Sequence, residues 1–508
     1  MKLMNQSRRE FLRTAATLSA VGPAGAGFAL NLAGIGAAAA QTAQNDYKAL
    51  VCLFMFGGND YANTVLAHDV PSWSRYLAAR DIQPDPVALN HPDPAVPLRA
   101  LGTGQTMAPP RAVAIAPNTV QSGRLFSLHP NLAVANPAVT TGPALGRSMK
   151  SVFDEGRLAI AANVGPLIAA TTKAQYNARS VPLPPRLFSH NDQQSTWMAF
   201  GPEGAATGWG GRLGDLFAAT NADPVFTSIS LAGNQVWLNG QRVFQYQIGT
   251  GGPVQIAGLN SPIFGSSGAS AVLRPLTMDG SAHLVEREIA KVTKRSDEAR
   301  TVMNAVVNGT ALGQLAAGRP GTGIASQLAA VAQIIAGRGT TGAKRQVFFV
   351  SMGGFDNHDL LNTGHGNLMR QLGDALEWFD RALANLGGVD MRANVTTFTA
   401  SDFGRTLTSN GDGSDHGWGG HHFVMGGAVR GKDVYGRFPE IGSSGNGYSN
   451  PDDVGQGRLL PGMAVDQYAA ALGRWFGASD TDLMTVMPNL KNFGSSATQA
   501  LGPASFMA

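Results

Sequence analysis

The stretch Asn394–Gly436 reads NVTTFTASDFGRTLTSNGDGSDHGWGGHHFVMGGAVRGKDVYG, and it contains two apolar runs separated by a polar loop. The first run, residues 395–399, is β-branched and ends just before Asp402, whereas the second, residues 423–425, begins directly after His421-His422. Ligand sites of α/β proteins lie at the carboxyl ends of parallel strands, where polar residues follow apolar ones. The pattern therefore predicts two strands of an α/β fold with a polar site at one edge of the sheet.

The loop between the two runs is rich in glycine and carries Arg405, Asp412, Asp415 and His416. Glycine and aspartate are common in turns, so an ordinary surface loop is the competing interpretation. A turn has no need of imidazole, however, and three of the ten histidines of the chain fall within seven residues here. This concentration favours a metal site.

Two other apolar runs end in the same way. Residues 49–56, ALVCLFMF, and residues 344–352, KRQVFFVSM, are each followed by two glycines and then by acidic residues. Unbroken apolarity is typical of strands that are covered on both faces. Asp356 and His358 are two residues apart, so in extended backbone both project to the same side. The sequence thus predicts one sheet edge that collects Asp60, Asp356, His358 and Asp402, with His416 and His421 nearby.

Carboxylate and imidazole ligands without thiolate suit a divalent metal, with zinc favoured and manganese, magnesium or calcium as alternatives. Adjacent histidines in a strand point to opposite faces, so we expect one of His421 and His422 to be packed rather than to bind. Arg405, three residues beyond Asp402, is expected either to hold an anionic substrate through its bidentate fork or to form a salt bridge that orients Asp402.

The segment LFSHNDQQ, residues 187–194, follows a proline cluster and predicts a loop that enters a helix. Ser189 is expected either to act as a nucleophile or substrate contact, or to cap the helix, a role for which serine is favoured. An amphipathic helix is predicted over residues 365–386, and His365 is expected to be a solvated residue at its start. Further helices are predicted at 277–310 and 325–336.

Residues 207–264 change in character. A short helix is followed by alternating sequence with Asn-Gly and Gly-Gly turns, which is the pattern of β-hairpins. We therefore predict a small β insertion at about 207–264 that serves as a lid or an interaction surface.

Residues 1–40 are predicted to be a twin-arginine signal peptide. The motif SRREFLR at 7–13 precedes an uncharged, Ala/Gly-rich stretch that ends in four alanines. Its glycines and Pro23 lower the hydrophobicity, which argues against a membrane helix. The twin-arginine export machinery is therefore an expected partner, the expected location is periplasmic or secreted, and the mature chain, 41–508, is expected to have no membrane span.

The net charge of +4 depends mostly on this segment, because it contains four basic residues and one acidic residue and leaves +1 on the mature chain. A chain near neutrality and without a basic stripe is not expected to bind nucleic acid. The single cysteine, Cys52, lies inside an apolar run, so no intrachain disulfide is possible.

Three motifs together, GGNDYANTV, GGFDNH and SDFGRTLTSNGDGSDHGWGGHHFVMGGAVRG, resemble the twin-arginine-exported bacterial family known as domain of unknown function 1501. That family looks like a branch of the alkaline phosphatase/sulfatase superfamily, and the resemblance covers nearly all of the mature chain. It implies an alkaline-phosphatase-like three-layer α/β sandwich with a central, mostly parallel sheet and metal ions at the carboxyl ends of the strands.

The resemblance also implies roles for single residues. Phe403 stands where the superfamily has the histidine of an Asp-His pair, and no serine, threonine or Cys-x-Pro-x-Arg sequence clearly matches its nucleophile, which leaves Ser189 and Thr64 as candidates. The implied metal ligands are Asp60, Asp356, His358, Asp402 and His416, with His421 as an alternative to His416.

Two functions remain open on this basis. The first is an exported metal-dependent hydrolase that acts on a small anionic substrate, a phosphate or sulfate ester. The second is a non-catalytic relative with a partly lost metal site that binds a ligand or a partner protein at the cell envelope. Phe403 and the unassigned nucleophile favour the second function, whereas the retained acidic and imidazole residues favour the first.

Overall fold

The computed structural model describes residues 47–103, 109–259, 261–279, 282–309, 315 and 317–508. The signal peptide predicted at 1–40 lies outside the described residues. Within these ranges, no helix has both the length and the apolarity needed to cross a membrane.

Strands and helices alternate along the described chain. The strands are β1 Lys48–Met55, β2 Val65–Ala67, β3 Val113–Ile115, β4 Phe126–Leu128, β5 Leu158–Gly165, β6 Ser228–Ser230, β7 Tyr246–Gly249, β8 Gly252–Pro253, β9 Arg345–Met352, β10 Val395–Ser401, β11 Arg405–Ser409, β12 Ser414–His416, β13 Gly420–Met425, β14 Asp433–Tyr435 and β15 Met463–Ala464. The α-helices are α1 Tyr61–Thr64, α2 Val70–Arg80, α3 Pro130–Ala133, α4 Met149–Asp154, α5 Lys173–Ala178, α6 His190–Ala199, α7 Trp209–Phe217, α8 Ser267–Met278, α9 Leu284–Gly309, α10 Gly323–Ala336, α11 Arg338–Thr341, α12 Leu361–Ala384, α13 Val465–Phe476, α14 Asp480–Val486 and α15 Ala497–Ala500.

A ten-stranded sheet forms the centre of the fold. Its order is β14-β5-β13-β10-β1-β9-β6-β7-β8, and β15 also pairs with β5. Strands β10, β1, β9 and β6 run parallel side by side, whereas β13 is antiparallel to both of its neighbours. The prediction of a mixed α/β fold with a mostly parallel central sheet is therefore confirmed.

The strand register brings three predicted strand ends to one level. Met55, the last residue of β1, lies opposite Ser401 of β10 and Met352 of β9. Because β13 is antiparallel to β10, its amino end lies at the same edge of the sheet as these carboxyl ends. The segments that follow β1, β9 and β10, and the segment that precedes β13, consequently meet.

Both faces of the sheet are covered, which explains the unbroken apolarity of β1. Val51 and Leu53 pack on one face with α10 and α12, whereas Cys52 and Phe54 pack on the other face with α7 and α13. Alternate residues of a strand point to opposite faces, so a strand between two helical layers needs apolar residues at every position.

The segment predicted as a β insertion has a different structure. Its strand β6 pairs in parallel with β9, and β7 pairs in parallel with β6, so both strands extend the central sheet. Only β7 and β8 form the antiparallel pair that the Gly-Gly turn predicted. Alternation along the sequence does not show which strand a segment will pair with, and pairing with β9 here outweighs local hairpin formation.

Candidate metal centre

Asp356 and His358 lie in the loop that follows β9, beside the end of β1. The two segments approach closely because Gly57 has no side chain: a Cβ there would lie 2.4 Å from the backbone nitrogen of Asp356. Gly57 also has φ +117°, a conformation that other residues rarely adopt. The first of the two glycines after β1 is therefore what lets the strand ends converge.

Three polar side chains come together at this edge. The Nε2 atom of His416 lies 3.2 Å from Oδ1 of Asp356, and Nε2 of His358 lies 3.1 Å from the same oxygen. The two Nε2 atoms lie 3.0 Å from each other. The side chain of Asp356 is 42 % exposed, so this group is open to solvent.

A third imidazole, that of His190, completes the group. Its Nε2 atom lies 3.4 Å from Oδ2 of Asp356. One atom each from His190, Asp356 and His416 lie within 4.8 Å of one another, which is compatible with a shared metal ion. His358 adjoins this group through His416 and Asp356. We call the four candidate ligands His190, Asp356, His358 and His416 the four-ligand cluster.

The second nitrogen of each ring has its own hydrogen-bond acceptor. Nδ1 of His416 donates to the backbone oxygen of Phe188 at 2.8 Å, and Nδ1 of His358 donates to Asp415 at 3.2 Å. Nδ1 of His190 donates to Asp402 at 2.6 Å. The Nε2 atoms of all three rings face Asp356, so a neutral ring with its proton on Nδ1 would present its Nε2 lone pair to a cation held there. Histidines that bind metals are typically held by such an outer hydrogen bond.

The residues of the four-ligand cluster are of the types that bind divalent cations. Three imidazole Nε2 atoms face the carboxylate of Asp356. Zinc bound at about 2.0–2.1 Å in a tetrahedron requires ligand atoms roughly 3.3 Å apart. Asp356 Oδ1 and the Nε2 atoms of His358 and His416 lie 3.0 to 3.2 Å from one another, which is close to that spacing.

The electrostatics favour the cation-binding forms of Asp356 and His416 but not that of His190. Partial burial acts to raise the pKa of Asp356, but the hydrogen bond and charge of Arg405 outweigh it and lower the pKa. Burial lowers the pKa of His416, which keeps its ring neutral. The hydrogen bond to Asp402 raises the pKa of His190. A cation that binds this ring must therefore displace a proton that is held more tightly than in a free imidazole.

His190 was not predicted as a ligand. It is the first residue of α6, and the side chain of Gln194, one turn later, donates to the same Asp402 oxygen at 2.8 Å. Residues four apart share one helix face, so the His-x-x-x-Gln spacing in SHNDQQ was the available signal. Only the packing of α6 against the end of β10 shows what that face contacts.

Asp402 is fully buried and holds one imidazole of the cluster, that of His190, by a hydrogen bond. Besides His190 and Gln194, it accepts a hydrogen bond from the backbone nitrogen of Gly57 at 3.2 Å. Its position directly after β10 agrees with the predicted strand end. It contacts the cluster through His190 and makes no hydrogen bond to His358 or His416 among the described residues.

Phe403 fills the space where a further ligand was expected. Its ring lies 4.9 Å from the ring of His190 and 4.7 Å from that of His416, between centroids. A Cβ on Gly58 would lie 2.4 Å from the Phe403 ring, so the second glycine after β1 makes room for it. Phe403 thus forms an apolar wall beside the cluster.

Arg405 proves to be a structural cation of the site. Its guanidinium pairs with Asp356 and also donates to the backbone oxygens of Gly57, at 3.1 Å, and Ser414. Its side chain is fully buried, so it has no surface with which to clamp a substrate. The salt-bridge alternative agrees with this geometry, but the carboxylate that Arg405 orients is Asp356 rather than Asp402.

Asp60 does not contact the four-ligand cluster. Its two carboxylate oxygens each accept a hydrogen bond of 2.6 Å from Arg80, the last residue of α2, and the pair is buried. The carboxylate charge is thereby neutralised within the protein. The Gly-Gly-x-Asp pattern correctly located a strand end, but it carried no information about Arg80.

His421 and His422 are both buried within β13. Nδ1 of His421 accepts a hydrogen bond from the backbone nitrogen of Asn163 at 3.1 Å, and its ring stacks on Phe438. The ring of His422 packs against Trp197. Burial lowers the pKa of both rings to about 3, so they are neutral core residues. One of the two was expected to be packed, and in the structure both are.

Ser189 and His365 also differ from their predicted roles. Ser189 occupies the N-cap position of α6, but its hydroxyl donates to Asp192 at 3.1 Å and makes no capping bond to the backbone. It makes no hydrogen bond to the four-ligand cluster in the described part of the chain. His365 is buried rather than solvated, and burial lowers its pKa to about 4. Its Nε2 atom lies 3.1 Å from the side-chain oxygen of Asn59.

Fold and site together define an α/β protein with a candidate metal centre at the carboxyl ends of parallel strands. Residues 47–487 match the family described as protein of unknown function (DUF1501), and the chain belongs to that family. No curated protein and no solved structure matches the chain significantly.

Proposed function

We propose that this chain is an exported, divalent-metal-dependent hydrolase that acts on a phosphate or sulfate ester. The observation that carries the proposal is the convergence of three imidazole Nε2 atoms on Asp356, with the Nε2 atoms of His358 and His416 only 3.0 Å apart. Imidazole and carboxylate are among the usual ligands of zinc.

The proposed cation is zinc, held by Asp356, His358 and His416, whose facing atoms lie 3.0 to 3.2 Å from one another. Three protein ligands leave the fourth position of the tetrahedron for water. A bound divalent cation supplies an activated water at neutral pH and polarises the ester oxygen. The remaining residues orient the ligands: Asp402, Asp415 and the Phe188 carbonyl each hold one imidazole. The exposure of Asp356 leaves access for a substrate. Since the nucleophile is then a water molecule, the proposal does not require Ser189 or Thr64.

We also propose that the fold is of the alkaline phosphatase/sulfatase type. This is supported by the central parallel strands β10, β1 and β9, whose carboxyl ends meet at the four-ligand cluster. The chain differs from a two-metal member of that superfamily in two respects. Asp60 is paired with Arg80, and Asp402 is engaged by His190, Gln194 and Gly57. The proposal is therefore a single metal ion per chain.

The second candidate function is a non-catalytic protein that binds a ligand or partner at the cell envelope. The buried Asp60–Arg80 pair and the apolar Phe403 favour it, because both remove features that paired-metal hydrolysis would use. It predicts metal binding without turnover, or no metal at all.

Metal analysis of the protein purified without an affinity tag separates these functions. We expect about one equivalent of zinc by mass spectrometry and hydrolysis of a substrate in a panel of phosphate and sulfate esters. Asp356→Asn and His416→Gln should lose both metal and activity, whereas His91→Gln, a half-buried histidine outside the cluster, should keep both. Metal without activity towards any ester would support the binding function, and a metal-free, inactive wild type would refute the hydrolase.

Export through the twin-arginine machinery is supported by Arg8 and Arg9 within SRREFLR. The test is cell fractionation of the full-length chain. We expect the protein outside the cytoplasm, and retention in the cytoplasm when both arginines are replaced by lysine. If the wild type and the double-lysine variant were found in the same cell fractions, the proposed export route would be contradicted.

A further inference from the structure

Arg458 lies directly beside the four-ligand cluster. Its Nε atom donates to the backbone oxygen of His416 at 2.8 Å, and its Nη1 atom lies 3.5 Å from the oxygen of Gly455. Its guanidinium carbon is 5.0 Å from the centre of the Phe188 ring, a cation–π contact. The side chain is half-buried, so part of the guanidinium remains accessible.

The charge of Arg458 is not neutralised by any carboxylate of the described residues. Its Nη2 atom likewise has no acceptor within that part of the chain. Two other guanidiniums differ in this respect, since Arg405 pairs with Asp356 and Arg437 pairs with Asp452. A guanidinium whose remaining donors lack protein acceptors is suited to bind an anion from solution.

Phe188 connects Arg458 to the cluster. Its backbone oxygen accepts the Nδ1 proton of His416, while its ring lies against the guanidinium of Arg458. Phe188 has φ +73°, a conformation that is uncommon for a residue with a bulky side chain. Such backbone conformations cost free energy and are concentrated at functional sites. This one allows a single residue to orient a cluster imidazole and a cationic side chain together.

We infer that Arg458 binds the anionic group of the substrate next to the cation. The inference rests on the proposed hydrolase and narrows its substrate class to esters with a tetrahedral oxyanion that has at least two terminal oxygens. The planar fork of the guanidinium can donate to both oxygens at once. Arg458 takes the substrate-binding role that the sequence suggested for Arg405, whose side chain is fully buried.

Titration of the zinc-loaded protein with inorganic phosphate, followed by calorimetry, tests the inference. We expect Arg458→Gln to weaken phosphate binding at least tenfold and Arg458→Lys to weaken it less, because lysine retains the charge but lacks the fork. Zinc affinity should stay unchanged in both variants. Arg186→Gln is the matched control, since this arginine lies two residues before Phe188 and its side chain is 75 % exposed.

The outcomes separate the two proposals. Failure of the wild type to bind zinc would refute the proposed metal centre, and phosphate titration of that same protein would still decide the role of Arg458. Equal phosphate affinity in wild type and Arg458→Gln, or no phosphate binding by the wild type, would overturn the assignment. Loss of zinc from Arg458→Gln would also overturn it, because the residue would then act through His416. With an active substrate, the expected change is a raised KM.

Discussion

The Nε2 atoms of His358 and His416 lie 3.0 Å apart, and the Nδ1 atom of each ring has its own hydrogen-bond acceptor. When both rings are neutral with the proton on Nδ1, their Nε2 lone pairs face each other, and a bound cation would relieve the repulsion between them. Asp356 adds a carboxylate oxygen 3.1 and 3.2 Å from the same two nitrogens. The stability and affinity of this site should therefore depend on the cation.

Zinc is expected to stabilise the folded chain after chelation and dialysis. At a free concentration of 100 times the dissociation constant, one site adds about 2.7 kcal/mol to the free energy of unfolding. His358→Gln and His416→Gln should lose this increment because each removes a ligand lone pair. The measurement is denaturant unfolding with and without zinc, and His91→Gln is the control. An unchanged unfolding curve for the wild type on adding zinc would contradict the site.

Asp415→Asn should weaken zinc binding without removing a ligand. The Asp415 carboxylate accepts from Nδ1 of His358 and so fixes which nitrogen of that ring faces Asp356. Loss of such an outer partner typically reduces metal affinity by about 10–100-fold. Competition with a zinc-binding dye measures the change. Asp480→Asn, an exposed carboxylate on α14 paired with Arg474, is the matched control and should bind zinc like the wild type.

Arg80→Met should destabilise the fold while leaving the zinc stoichiometry unchanged. Arg80 is the buried partner of Asp60, and it also donates to the backbone oxygens of Thr406 and Leu407. Removal of one member of a buried ion pair costs about 3–5 kcal/mol, because the other charge is left without a partner. Chemical denaturation reports the loss. The double variant Arg80→Met/Asp60→Asn should recover part of it, and loss of zinc from Asp60→Asn alone would show that Asp60 is a ligand after all.

Asp466 should make stability depend on pH. Burial raises the pKa of this carboxyl on α13 to about 7, against the lowering effect of its hydrogen bonds from Asn489. The folded chain thus holds the proton more tightly than the unfolded chain does. The contribution of Asp466 to the free energy of unfolding is therefore greatest at low pH, below the pKa of the unfolded carboxyl.

This contribution falls as the pH rises towards about 7 and changes little above it. A pKa shift of this size corresponds to a decrease on the order of 4 kcal/mol in the free energy of unfolding over that pH range. Asp466→Asn removes the titration, so the stability difference between variant and wild type should move in favour of the variant between pH 4 and pH 7. Denaturant unfolding at several pH values measures that difference. A difference that is constant with pH would show that Asp466 does not titrate in this range.

Much of the fold was predictable because its signals are local. The apolar runs of β1, β9, β10 and β13 coincide with observed strands, since a strand covered on both faces needs apolar residues throughout. Asp356, His358 and His416 were predicted for a similar reason, as residues that adjoin strand ends at one edge of the sheet. The motifs around them also identified the family, which the match over residues 47–487 confirms.

What the sequence alone determined, then, was the four apolar strands β1, β9, β10 and β13 and the sheet edge at which polar residues gather. Tertiary structure decided which of those residues share a centre, because partners are supplied by helices that are distant along the chain. Docking of α2 brings Arg80 to Asp60 and neutralises it, whereas docking of α6 brings His190 to Asp402 and adds a third imidazole to Asp356. No local pattern around Asp60 or Asp402 encodes these contacts, since they depend on how the helices pack against the sheet.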